Sequence, residues 1–135
     1  MYILYAIALF VAHYVGDFLL QSREIANNKS SDLAALVSHG ILVTLPIVAL
    51  FIVVDVIMFV THHESIFYEP ILAALLYGIL HMVQDKFTWR WFKKKVKEED
   101  LIRGSERFDT LFFTVLGADQ MIHMIVLFTI AFLII

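Results

Sequence analysis

Four long apolar segments, at positions 2–20, 33–60, 70–87 and 110–135, constrain this chain more than any other feature of its sequence. A helix needs about 20 predominantly apolar residues to cross a bilayer, and each segment is long enough, the third with little to spare. Apolar residues make up 61% of the chain and charged residues 17%, a balance too apolar for a soluble domain. The sequence therefore predicts an all-α, polytopic membrane protein: a single transmembrane domain over residues 1–135, folded as a four-helix bundle.

The basic residues predict how these spans are oriented. All ten Lys and Arg residues lie in the first and third connections, whereas the second connection, with His62, His63 and Glu64, has none. Cytoplasmic connections carry an excess of Lys and Arg, so both termini should face outside in a multi-pass protein of the cell (inner) membrane. The third connection, 86–107, ends in a charged stretch that predicts a turn or a short amphipathic segment.

Composition also excludes several classes of function. The chain has no cysteine, which rules out disulfide scaffolds, thiolate zinc sites, iron–sulfur clusters and cysteine nucleophiles. Its formal net charge of −3 provides no basic surface for nucleic acid, so no nucleic-acid partner is expected. The lipid bilayer is the partner that the sequence predicts.

Ionisable residues inside the predicted spans are the main functional indication. Each costs about 2.5–3.5 kcal/mol on insertion scales, so such residues usually serve a purpose. Three His/Asp pairs have members four residues apart, which places both side chains on one helix face. With one further histidine, the candidate metal ligands are His13, Asp17, His39, His81, Asp85, Asp119 and His123.

These seven residues all fall in the cytoplasmic half of the predicted bundle. The orientation was inferred from the basic residues alone, so the shared depth of the seven is independent support for one site. One such pair is most often only a buried ion pair, but three pairs at one depth favour a metal site. Imidazole and carboxylate ligands suit a divalent ion such as Zn, Mn or Fe. Seven ligands exceed the needs of one ion, which favours two metals; one metal with carboxylates orienting the imidazoles is the alternative. Asp55 should lie outside the cluster.

The arrangement of these motifs resembles a domain-of-unknown-function family of small polytopic membrane proteins from bacteria and their phages. The matching motifs are HxxxDFxLQ from His13 to Gln21, the lone His39, HxxxD from His81 and DQxxH from Asp119. The resemblance covers essentially the whole chain and implies no settled activity. A looser similarity, to predicted metal-dependent hydrolases of the inner membrane, is an analogy of fold and ligands.

Several functions are compatible with this sequence. The leading hypothesis is a metal-dependent hydrolase acting on a lipid or lipid-linked phosphoester, in which any one aspartate could be the general base. A metal-ion or proton transporter or channel is the second, and with only four spans it would need a homo-oligomer. A structural or regulatory membrane protein whose helices are held together by a metal ion is the third. Haem ligation by His39 and His123 is a fourth hypothesis. The neighbouring carboxylates suit a non-haem metal better than a haem.

Overall fold

The fold is all-helical in the computed structural model, which describes residues 2–62 and 68–134, with side chains over 5–61 and 68–133. Helix α1 spans Tyr2–Tyr14 and continues as a π-helical turn over Val15–Leu19. A short helix, α2, spans Arg23–Asn28. Three long helices follow: α3 spans Leu33–His62, α4 spans Tyr68–Glu98 and α5 spans Glu106–Ile134. The prediction of an all-α fold is confirmed.

Polar side chains cap the first turns of α2, α3 and α5. The hydroxyl of Ser22 accepts a hydrogen bond from the backbone N–H of Ile25, and this bond caps α2. A carboxylate oxygen of Asp32 accepts from the N–H of Ala35 at 2.7 Å, at the start of α3. Ser105 does the same for α5. The short helix α2 is thus an ordered segment that is capped at its own start and followed directly by the capped start of α3.

The third connection differs from the sequence prediction. Helix α4 continues without interruption through the basic run to Glu98, so this run forms its last turns and not a separate amphipathic segment. Lys94 and Lys95 each form an ion pair four residues ahead, with Glu98 and Glu99, and such pairs favour helix over an exposed loop. The turn itself occupies only 99–105, where Gly104 adopts a positive φ of 85°.

The helices α1, α3, α4 and α5 pack against one another in the order in which they follow along the chain. Helix α3 lies between α1 and α4, and α5 packs mainly on α4. Gly16 brings the first helix close to α3, because a Cβ there would lie 2.6 Å from the Cα of Val43. Buried apolar side chains fill the interior on one side of the His/Asp residues, among them Leu9, Val43, Ile47 and Leu127. This apolar core closes one end of the molecule.

Two described helices are long and apolar enough to cross a membrane, over Leu33–Thr61 and Glu106–Leu133. The stretch Tyr5–Leu19 is apolar but shorter. Helix α4 is long, but many charged residues occupy its second half, and it is not among these candidate spans. Length and composition therefore support two of the four predicted spans.

Candidate metal centre

The structure places the seven predicted ligands at the centre of the molecule, all of them at most 3% exposed. Helix α1 with its π-turn and the three long helices α3, α4 and α5 all contribute. Six of the seven form two groups that share Asp85, and the seventh, His13, lies at their edge. Asp55 follows His39 by sixteen residues on α3, about 24 Å along the helix axis. His63 and Glu64 lie outside the described residues, as does the side chain of His62.

The first group, called here the four-ligand group, comprises Asp17, His39, His81 and Asp85, with one ligand atom from each within 4.8 Å of all the others. The Nε2 atom of His39 lies 2.6 Å from Asp85 Oδ2, 2.9 Å from His81 Nε2 and 3.2 Å from Asp17 Oδ1. An imidazole nitrogen offers one hydrogen or one lone pair, so hydrogen bonding cannot satisfy all of these contacts at once. A cation placed among these atoms would satisfy several of these lone pairs at once.

The second group, called here the three-ligand group, comprises Asp85, Asp119 and His123. The Nε2 atom of His123 lies 3.4 Å from Asp119 Oδ2 and 3.6 Å from Asp85 Oδ1. Among the described residues, His123 Nε2 and Asp85 Oδ1 have no hydrogen-bond partner although both are fully buried. Buried polar atoms without a partner are costly, and a metal ion between them would use both lone pairs. The donor set therefore fits a divalent ion.

The two groups are neighbours in space and share Asp85. The rings of His81 and His123 stack with their centroids 3.8 Å apart. Asp85 offers one oxygen to each group, Oδ2 to His39 and Oδ1 to His123. This carboxylate can therefore bridge two cations, or hold one ion beside another positive charge.

His13 differs from the other six because hydrogen bonds occupy both of its ring nitrogens. Its Nδ1 faces the hydroxyl of Tyr77 at 2.8 Å, and its Nε2 faces the amide oxygen of Gln120 at 3.2 Å. The amide nitrogen of Gln120 donates in turn to Asp17 Oδ2 at 2.7 Å. His13 thus helps to orient Asp17, and it belongs to neither group of candidate ligands.

Neutral side chains hold other members of the cluster in place. Gln84 donates to Asp119 Oδ1 at 3.2 Å, and the hydroxyl of Tyr77 lies 3.4 Å from His81 Nδ1. Tyr77 is fully buried and was not anticipated from the sequence. Its position four residues before His81 would have placed it on the same helix face.

Lys29 is the second residue that the sequence analysis did not anticipate. Its ammonium lies 2.9 Å from Asp85 Oδ2, 3.1 Å from His39 Nε2 and 3.7 Å from Asp17 Oδ1. The residue is only 5% exposed and ends the short helix α2, which brings a lysine from a connection into the interior. No spacing rule could reveal this, because the contact depends on how α2 folds back.

The π-helical turn explains how Asp17 joins the cluster. Its wider turn, closed by the N–H of Leu20 bonding to the carbonyl of Val15, buries both Gly16 and Asp17 against α3. Such turns occur frequently at functional sites in helices. The i,i+4 spacing still brings His13 Nε2 to 3.8 Å from Asp17 Oδ2.

A cavity of about 550 Å³ leads from the basic end of the molecule to the cluster. Its inner end reaches Asp17, Lys29 and Asp119; apolar side chains of α5 line one wall, and Lys93 and Arg103 stand near its outer end. Burial lowers the pKa of the Lys93 ammonium, whose hydrogen bond goes to the backbone carbonyl of Asn27. The cluster is therefore accessible from one side.

Comparison with known proteins identifies the family. The model of the family described as "Protein of unknown function (DUF3307)" matches residues 5–135. The chain belongs to the DUF3307 family. No curated protein and no solved structure shows a significant match to it. The predicted membership of a family of unknown function is thus confirmed, and DUF3307 supplies no activity that could be transferred to this chain.

Proposed function

We propose that the chain is a multi-pass protein of the cell membrane, in which α1 with its π-turn, α3, α4 and α5 form a four-helix transmembrane bundle. Large apolar side chains on the outer faces of all four helices support this: Phe10, Leu45, Leu72 and Ile125 are each more than half exposed. A surface of this kind is unfavourable in water and suits hydrocarbon. The basic residues at one end favour a cytoplasmic location for that end, with both termini outside.

The bundle functions in this proposal as a metal-dependent hydrolase. The observation that carries it is the convergence of buried ligand atoms from the four long helices on Asp85. Nitrogen and oxygen ligands without sulfur suit Zn, Mn or Fe. A bound divalent ion would lower the pKa of a water molecule to about 7 and polarise a substrate oxygen.

The three aspartates divide between two roles. Asp85 is fully buried and shared by both groups, so its role is to hold the ion. Asp119 belongs to the three-ligand group and holds the ion together with Asp85. Asp17 lines the cavity, where its carboxylate can accept a proton from the attacking water. Gln120 orients Asp17, and Gln84 orients Asp119.

The cavity favours a lipid or lipid-linked phosphoester as substrate. Its apolar wall includes Phe112, Phe113 and Leu116, and Lys93 and Arg103 offer positive charge to an anionic headgroup. Phe18 and Phe113 border the cavity and are 40% and 65% exposed, which suggests an opening towards the bilayer. A substrate could then keep its tail in lipid while its headgroup meets the cluster.

The apolar core makes the transport hypothesis less favourable. Beyond Tyr77 the buried interior contains Leu9, Ile47, Phe51 and Leu127, and the described part of that core offers no chain of ionisable groups. An ion path would need polar groups or water across this half. Access from the cytoplasmic side alone suits an enzyme.

Metal content and hydrolysis measured on the same sample test the proposal. We expect elemental analysis of the detergent-purified protein to find a divalent metal. Fluorogenic phosphoester and acyl-ester lipids in mixed micelles should be hydrolysed, a chelator should abolish this, and one metal should restore it. Asp17→Asn should still bind metal and lose most activity, with Asp109→Asn, which also alters a carboxylate of the cavity, as the matched control.

Two results would contradict the proposal. Protein that is folded but binds no divalent ion would make the cluster an ion-pair network. The second result is a protein that binds metal, hydrolyses no phosphoester or acyl lipid, and unfolds in proportion to the metal that it loses. The metal ion would then have a structural role only.

A further inference from the structure

Lys29 places its ammonium inside the proposed centre. Its ammonium contacts three of the four ligands in the four-ligand group, Asp17, His39 and Asp85. Among the described residues, it forms no ion pair with Asp119, the carboxylate particular to the three-ligand group. The lysine is thus associated with one half of the centre and leaves the other half free.

The ammonium competes with a metal ion for His39. A lysine ammonium can only donate, so its 3.1 Å contact with His39 Nε2 is a hydrogen bond in the tautomer whose Nε2 carries the lone pair. A metal ion in the four-ligand group would need the same lone pair. The same ammonium also lies 2.9 Å from Asp85 Oδ2 and neutralises the side of this carboxylate that faces the group.

Charge balance supports the same conclusion. The centre contains three carboxylates and one ammonium, and its imidazoles must be neutral to act as ligands. Two negative charges remain, which one divalent ion balances; two divalent ions would leave an excess of positive charge in a buried site. One ion beside one lysine is therefore the neutral arrangement.

We propose that the Lys29 ammonium is the resident cation of the four-ligand group, and that the centre binds one divalent ion per chain, in the three-ligand group. This inference rests on the proposed metal-dependent function. Three protein ligands leave a coordination position open, as in catalytic zinc sites. Because Asp119 and Lys29 both line the cavity, a substrate bound there would meet both the ion and the ammonium, and the ammonium would stabilise negative charge as a second metal otherwise would.

Metal stoichiometry tests this proposal. The full chain is purified in detergent, stripped with a chelator, loaded separately with Zn²⁺ and Mn²⁺, desalted and analysed for metal per folded chain. We expect one ion in the wild type and in Lys29→Arg, which keeps the charge. Lys29→Met removes the charge at similar length and should bind two ions. Lys93→Met, which removes a cavity lysine outside the cluster, is the matched control and should bind one.

Each other outcome counts against a different claim. Two ions in the wild type, or one ion or fewer in folded Lys29→Met, would overturn the role of Lys29 and leave a metal-dependent enzyme possible. No ion in the wild type would overturn the proposed function itself. Should Lys29→Met fail to fold, Lys29→Met combined with Asp17→Asn restores the balance; one ion in that folded variant supports the proposal, and two overturn it.

Discussion

At the scale of single residues, the spacing of four between His and Asp predicted much of the candidate site. The pairs on α4 and α5 lie on the faces that meet, because one helical turn separates their members. The spacing could not distinguish a candidate ligand from its support. His13 has the same spacing to Asp17, yet its two nitrogens are bonded to Tyr77 and Gln120. That distinction depends on partners from distant parts of the chain.

Asp85 should be the most sensitive residue of the cluster. Asp85→Asn keeps its shape but removes the charge facing Lys29 and replaces one of the two oxygens that Asp85 offers to the two groups. Leaving a buried charge without its partner costs about 3–5 kcal/mol, so we expect a loss of stability of that order even without metal. Thermal unfolding in detergent with a chelator measures it. Asp109→Asn, outside both groups, should change little; equal effects would contradict the central position of Asp85.

Tyr77 should affect metal binding without touching the metal. Tyr77→Phe removes the hydroxyl that holds His13 and faces His81, and the ring volume stays the same. Loss of such an orienting partner typically lowers metal affinity about 10–100-fold, and loss of one buried hydrogen bond costs about 1 kcal/mol. Competition with a metal indicator measures the affinity. Tyr14→Phe, on an exposed ring, should leave it unchanged; a similar loss in both variants would argue against an orienting role.

At the scale of helices, apolar patterning predicted the four long segments, and the structure adds the details that the pattern did not contain. The π-turn at Val15–Leu19, the helix α2 and the extension of α4 to Glu98 all depend on local hydrogen bonds and ion pairs. Hydropathy does not detect such interactions, so it ended the third segment where charges begin. The site needs two of these details, since Asp17 and Lys29 reach it through the π-turn and α2.

The contact between α1 and α3 should be sensitive to a single methyl group. In Gly16→Ala, the new Cβ would meet the backbone of Leu42 and Val43 at 2.6–2.7 Å, where neither atom can rotate away. We expect a loss of about 1–3 kcal/mol and reduced metal binding as Asp17 moves. Thermal unfolding and metal content measure both. Gly117→Ala, where no atom lies within 4 Å, should be neutral or slightly stabilising; the reverse order of the two effects would disprove the close approach.

At the scale of the whole molecule, the proposed orientation in the membrane predicts that the cavity is reached from the cytoplasm. The chain has no cysteine, so a single introduced cysteine gives an unambiguous label. We expect an impermeant maleimide to label Glu64→Cys in intact cells. Lys94→Cys, at the exposed end of α4, should react only after permeabilisation. The unmodified chain is the blank, and labelling of position 94 from outside would reverse the proposed orientation.

The distribution of the cluster over the chain has a consequence for biosynthesis. Asp17, His39, His81 and Asp85 all precede α5 in the chain, whereas Asp119 and His123 lie on α5. During translation the four-ligand group is therefore complete before α5 is made, and the three-ligand group is completed only by α5. In the proposed metalloprotein, the ion could be captured only once the last helix has been inserted. A cell could use that moment to distinguish finished copies from truncated ones.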